Sequence, residues 1–132
     1  MTTEYLNPEK LCPTFGWTHV AMTRGQRTIY VSGQVAVDEK GKVVGVGDMR
    51  AQTEQAFRNV QIALEAAGAT FADVVKTSLF VVGLKAEHVP IIREVRAKYV
   101  SRETPPTSTL VGVSALVGRD WLIEIEAVAV LP

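Results

Sequence analysis

The sequence predicts an α+β fold, with one mixed β-sheet carrying two helices on a single face. Apolar residues recur at three- and four-residue spacing in two stretches, 48–67 and 87–100. Short β-rich runs bounded by Gly, Pro and Asp fill the rest, giving the order strand, strand, strand, helix, strand, helix, strand, strand. Two amphipathic helices need one apolar sheet face to cover, and a strand-helix-strand crossover between parallel neighbours is right-handed. At 132 residues the chain is long enough for one core and too short for two, so 1–132 is read as one domain.

Runs 18–23 and 28–37 are β-rich and flank the turn-like Arg24-Gly25-Gln26-Arg27, which predicts a hairpin. A second turn at 38–41, closed by Gly41, leads into a short strand at 42–46. Asp48 is a natural N-cap for a helix through Ala67, whose apolar stripe is Met49, Ala56, Phe57, Val60, Leu64 and Ala67, and Gly68 stops it. Thr70 with Asp73 has the spacing of a capping box for one short turn. The run 74–82 is apolar enough to be covered on both faces, so it is expected to be a central strand.

Pro90 suits the first turn of a second helix, 87–100, with Val89, Ile92, Val95 and Tyr99 facing inward. Pro105 and Pro106 bar its continuation. The last strands, 107–116 and 121–131, are expected to be joined as a hairpin by 117–120. Along the final strand Ile123, Ile125, Ala127 and Ala129 share one face, and Glu124, Glu126, Val128 and Val130 the other. Valines on that second face want a cover that the short chain does not itself provide, which points to self-association.

Composition removes several functional classes. Fourteen basic and fourteen acidic residues cancel without long runs of either sign, so nothing favours a phosphate-tracking surface, and nucleic acid is not expected as a partner. Cys12 is the single cysteine and His19 and His88 the only histidines, so no zinc constellation is expected and no metal is assigned. The opening MTTEYLNPEKL carries no export or organelle pattern and no apolar run has membrane-spanning length, so a cytoplasmic protein without membrane association is expected. His19 reads as a polar edge residue before it reads as an acid or base. A pair of same-face glutamates is, on spacing alone, more often solvated than catalytic.

Four stretches, in this order and spacing, carry a resemblance: Tyr30-Val31-Ser32-Gly33-Gln34, Leu64-Glu65-Ala66-Ala67-Gly68, Asp73-Val74-Val75-Lys76-Thr77, and Ile123 through Val130. Together they resemble the RidA/YjgF/UK114 (Rid) family over nearly the whole chain. The resemblance implies a chorismate-mutase-like fold and a homotrimer with an inner barrel. It also implies small-molecule clefts between subunits, each built from two chains, and no cofactor. The best-known members hydrolyse reactive imines and enamines. In them an arginine holds the substrate carboxylate, a serine and a tyrosine line the pocket, and a glutamate positions or activates water.

Carried over residue by residue, the resemblance places Glu124 at the catalytic glutamate and Ser32 at the pocket serine. Gly16-Trp17-Thr18-His19 resembles the tyrosine segment, so Trp17 stands where the hydroxyl is expected and can only donate. The arginine position falls on Ser108, or on Thr107 or Thr109 if the register shifts by one, and none of the three is cationic. Loss of a guanidinium-carboxylate pair costs about 2 to 5 kcal/mol, or roughly one and a half to four decades in affinity or rate.

Arg24, Arg93, Arg96 and Arg102 are the cations that could compensate, each otherwise a solvated surface arginine. The resulting expectation is a Rid-like enzyme acting on an imine, enamine or related C–N intermediate. Glu124 is catalytic in it, and Trp17, Ser32, Ser108 and Thr109 line an altered pocket. The alternatives are a non-catalytic metabolite-binding trimer and, third, a ribonuclease or translation inhibitor.

Overall fold

The computed structural model describes residues 2–14 and 16–132. Its longest element, α1, spans Met49–Ala66. The Asp48 carboxylate accepts from the Ala51 N–H at 3.0 Å, satisfying one of the donors a helix start leaves open. At the other end the Gly68 N–H donates to the Glu65 carbonyl at 3.0 Å and the Ala69 N–H to the Leu64 carbonyl at 2.9 Å, the pairing of a Schellman turn. The expected stripe is buried from Met49 to Leu64, whereas Ala67 is the C-cap and lies exposed. The capping box is present: Thr70 N–H donates to Asp73 at 2.8 Å and the Thr70 hydroxyl accepts from Ala72 N–H at 3.2 Å, starting the 3-10 turn Phe71–Asp73.

The second helix, α2, is His88–Arg96, shorter than expected. Its ladder tightens at the end: Ala97 N–H still donates to the Arg93 carbonyl, but those of Lys98 and Tyr99 reach only three residues back, to Val95 and Arg96. Ile92 and Val95 face the core as expected, while Val89 and Tyr99 are half-buried. The Tyr99 ring stacks on Phe57 with centroids 5.2 Å apart and also meets Phe71 at 5.3 Å, tying the end of α2 to α1 and the 3-10 turn.

The described residues form six strands: β1 (Thr2–Leu6), β2 (Val20–Arg24), β3 (Arg27–Gln34), β4 (Val74–Val82), β5 (Thr107–Val113) and β6 (Ile123–Leu131). The main sheet has the order β3-β6-β4-β5, mixed because β4 and β5 run parallel, with both helices packed on it. β4 is internal, as its apolar run predicts.

Three pairings differ from expectation. β2 does not form a hairpin with β3; it pairs antiparallel with β1 in a separate ribbon. Gly25 lies against Val130 and the Leu131 carbonyl, which accepts from Gln26 N–H at 3.1 Å, so the turn delivers β3 onto β6 instead. Residues 42–46 give only a Val37–Val43 bridge, because Gly45 and Gly47 each take φ of 73° and end the extended run. The last two strands are not hairpin neighbours either. The α2 crossover sets β5 parallel to one side of β4, and β6 inserts between β4 and β3, antiparallel to both.

On β6 the two faces divide as the alternation requires. Ile123, Ile125, Ala127 and Ala129 are buried on the helix side, while Glu124, Glu126 and Val128 lie on the open side; Val130, expected to want cover from outside, is buried within the chain beside Gly25. Gln52, fully buried on α1, knits this layer to the loops. Its Nε2 donates to the carbonyls of Gly45 (3.2 Å) and Asp120 (2.8 Å), and its Oε1 accepts from Leu122 N–H (2.9 Å). No helix of the described residues is long and apolar enough to cross a membrane.

Candidate functional site

The segment around Trp17 is held to the start of β5. Thr18 donates its N–H to the Pro106 carbonyl at 3.1 Å and its hydroxyl to the Pro105 carbonyl at 2.6 Å, and it is buried. Pro105 and Pro106 thus do more than end α2: their carbonyls accept both bonds of this anchor. Trp17 consequently stands beside Ser108, and the two line a cavity of about 200 Å³ with Ile92, Leu110, Arg93 and Arg96. His19 supports Trp17 from behind. Its ring meets the indole edge-on at 4.7 Å while Nε2 donates to the Cys12 carbonyl at 2.8 Å, and its N–H donates to Asn7.

Register fixes which way the β5 hydroxyls point. Ser108 pairs with buried Thr77 on the helix side, whereas Thr109 pairs with Ser78 and faces the open side with Glu124 and Ser32. Thr107 shares the open-side parity, and its hydroxyl donates to the Val75 carbonyl at 2.9 Å.

Glu124 sits opposite Phe80, and its carboxylate lies directly over Gly33: a Cβ there would overlap Glu124 Oε2. Gly33 falls in the irregularity of β3 between Val31 and Gln34, where the register against β6 slips. The glycine and the bulge together make the seat for the carboxylate. Ser32 opens into another space on the same face, a cavity of about 360 Å³ lined also by Tyr30, Lys76, Ser78 and Glu126. Within one chain, therefore, the sequence-derived site residues separate into an open-face group (Ser32, Thr109, Glu124) and a helix-side group (Trp17, Ser108).

Sequence reasoning left Glu126 as structural and did not single out Lys76 or Ser78, yet all three line the cavity with Ser32. A lysine interrupting the apolar β4 run is the signal that could have found them. Among the four arginines, the structure separates one from the expected solvated role: Arg96 is 8% exposed. Its pKa is lowered, first by burial and then by repulsion from Arg93, though it stays charged at any ordinary pH. Arg93 lines the same cavity from the exposed side of α2, Arg102 lines an adjoining one, and Arg24 lies on β2, apart from both.

Known proteins share this fold. Residues 9–131 match the Endoribonuclease L-PSP family. The 3-aminoacrylate deaminase RutC of Acinetobacter baylyi is 35% identical over 130 residues, covering 98% of each chain. The 2-iminobutanoate/2-iminopropanoate deaminase of Dermatophagoides farinae is 33% identical over 104 residues, 79% of this chain and 78% of that one. A crystal structure of a Rid-family protein of unknown function from Yersinia pestis superposes with a TM-score of 0.91 at 38% identity, over 99% of this chain and 100% of the other. With the predicted helix pair on a mixed sheet observed and the match spanning nearly every residue, the chain belongs to the Endoribonuclease L-PSP family, the YjgF/RidA proteins.

Proposed function

We propose that residues 1–132 form one domain that assembles as a cytoplasmic homotrimer and hydrolyses an imine, enamine or related C–N intermediate, with a specificity set by the loss of the carboxylate-binding arginine at Ser108. The observation that carries this reading is the seat of Glu124: a glycine and a bulge leave room for one carboxylate on an open sheet face. Two deaminase-named relatives support the reaction class.

In this reaction water adds to the C=N carbon, giving a carbinolamine that collapses to the ketone and ammonia. Glu124 takes a proton from the attacking water and returns one to the departing nitrogen, so it ends unchanged. An enamine first gains a proton on carbon and gives one up from nitrogen to become the imine. Separation of the site residues into two groups supports a cleft between subunits, where Glu124 from one copy meets the Trp17 and Ser108 cavity of the next. The exposed Tyr30 (79%) and Val111 on the open face support burial of that face against further copies. Ribonuclease activity is not favoured by a chain whose 14 basic and 14 acidic residues cancel.

Ammonia and ketone release from freshly generated imines tests the proposal. Wild type is expected to accelerate release over buffer, and Glu124→Gln to lower kcat by about two to four decades. No acceleration on any imine, together with a Glu124→Gln protein indistinguishable from wild type, refutes it and favours a binding-only role.

A further inference from the structure

On the open face of the sheet, two opposite charges line one cavity without pairing. Lys76 and Glu126 border the space of about 360 Å³ there, with Ser32, Ser78, Tyr30 and Val128. Both side chains are exposed, and among the described residues neither has an ion-pair or hydrogen-bond partner. Register sets them diagonally: Lys76 stands opposite Val128 and Glu126 opposite Ser78, a spacing that long side chains can bridge. On the helix side the chain does pair such charges, Arg50 with Glu94 at 2.7 Å and Lys98 with Glu54. The reaction scheme above uses neither Lys76 nor Glu126.

What covers this face decides what the two charges do. Tyr30, Val128 and Lys76 form one row across β3, β6 and β4, and Tyr30 is 79% exposed. A surface that buries the tyrosine and valine must also bury the ammonium beside them, together with Glu126, two residues before Val128 on the same face of β6. A covered charge without a partner is costly, so that surface has to bring an acid to Lys76 and a base to Glu126. The same face of a second copy offers both. A face that carries both signs is complementary to itself, whereas a strongly basic or acidic partner would satisfy one charge and repel the other.

We propose that Lys76 of each copy pairs with Glu126 of the next, so that these pairs close a ring on the covered face of the trimer. This deepens the trimer reading above, on which it rests, by naming the polar contact between copies. Round a threefold axis every copy gives its lysine to one neighbour and its glutamate to the other, which leaves neither unpaired. Ser32 and Ser78 line the same space and offer hydroxyls to the protons and lone pairs left over. Glu124 lies on this face two residues before Glu126, so the pair also sets which part of the next copy that carboxylate meets.

Sedimentation of the full chain at micromolar concentration, as wild type, Lys76→Glu, Glu126→Lys and the exchange Lys76→Glu/Glu126→Lys, makes the first half of the test. Each single reversal is expected to raise the concentration at which the trimer half-dissociates by about a hundredfold or more, and the exchange to return it to within about tenfold of wild type. Both positions are exposed in the single chain, and a melting curve checks that each variant folds. The second half needs no variant and asks which chains the pair joins. A carbodiimide, which condenses an amine with a carboxylate in contact, is applied to labelled and unlabelled wild type that have been dissociated and reassembled together. A cross-linked Lys76–Glu126 peptide with one labelled and one unlabelled half is expected. Cross-links within one label only, or none in a trimeric wild type, overturn the proposal, as does an exchange no better than the single reversals. A monomeric wild type sinks the trimer reading and this pair with it; a trimeric wild type whose single reversals stay equally trimeric sinks the pair alone.

Discussion

Gly33 and Glu124 are a coupled pair, in which the smaller residue decides where the larger one's charge sits. A methyl at position 33 overlaps the flexible Glu124 side chain from Cγ to Oε2 and not backbone, so the clash is relieved by swinging the whole side chain away. Gly33→Ala is therefore expected to cost less than about 1 kcal/mol of stability while lowering imine turnover by roughly a decade or more. A melting curve and a rate on the same preparation check both halves; a stable variant with full activity removes the seat from the account. Family spacing made Glu124 legible in the sequence, but its seat was not legible, because Gly33 reaches it across two strands through a bulge that no local pattern announces. Arg96 shows the same limit. Its helical position placed it near the end of α2 on sequence grounds, yet only the Gly16 loop, eighty residues earlier in the chain, distinguishes it from the solvated Arg93.

At the scale of elements, local periodicity carried the helices and β4, whereas pairing depended on residues far apart in the chain. Asp48, the α1 stripe and the Thr70–Asp73 capping box are decided within a few residues, and each is found where the spacing predicts it. β2 looked like half of a hairpin with β3 because the turn between them is short; its actual partner is β1, a run too polar to stand out. β6 looked like a hairpin partner of β5, and the parallel α2 crossover displaced it to the other side of β4.

Gln52 is the element-scale counterpart of Gly33, since it joins α1 to two connections through three hydrogen bonds. Its truncation, Gln52→Ala, leaves two carbonyls and one N–H without their partner and is expected to destabilise by about 2 to 4 kcal/mol. Chemical denaturation measures this, with Asp48→Ala as a milder comparison at about 1 kcal/mol. A Gln52→Ala loss below that of Asp48→Ala would show that water replaces the three bonds.

The whole molecule presents an open sheet face with Tyr30 directly opposite Val128, and with Phe80 and Val111 paired further along it beside Glu124. Such a face is the expected cost of putting both helices on one side, and the proposed trimer would bury its exposed Tyr30 and Val111. Sedimentation at micromolar concentration is expected to give about three times the chain mass of 14.4 kDa, falling to one in Tyr30→Glu/Val128→Asp. A monomeric wild type would leave the open-face and helix-side groups apart and the proposed two-chain cleft unformed.

The most direct test of the account is the rate of ammonia release from two imines made in place, one derived from 2-oxobutanoate and one from 2-oxoglutarate, in wild type and Glu124→Gln. The account predicts that wild type accelerates release over buffer and that Glu124→Gln loses about two to four decades. Equal rates in the two proteins, or no acceleration of either imine, would contradict it.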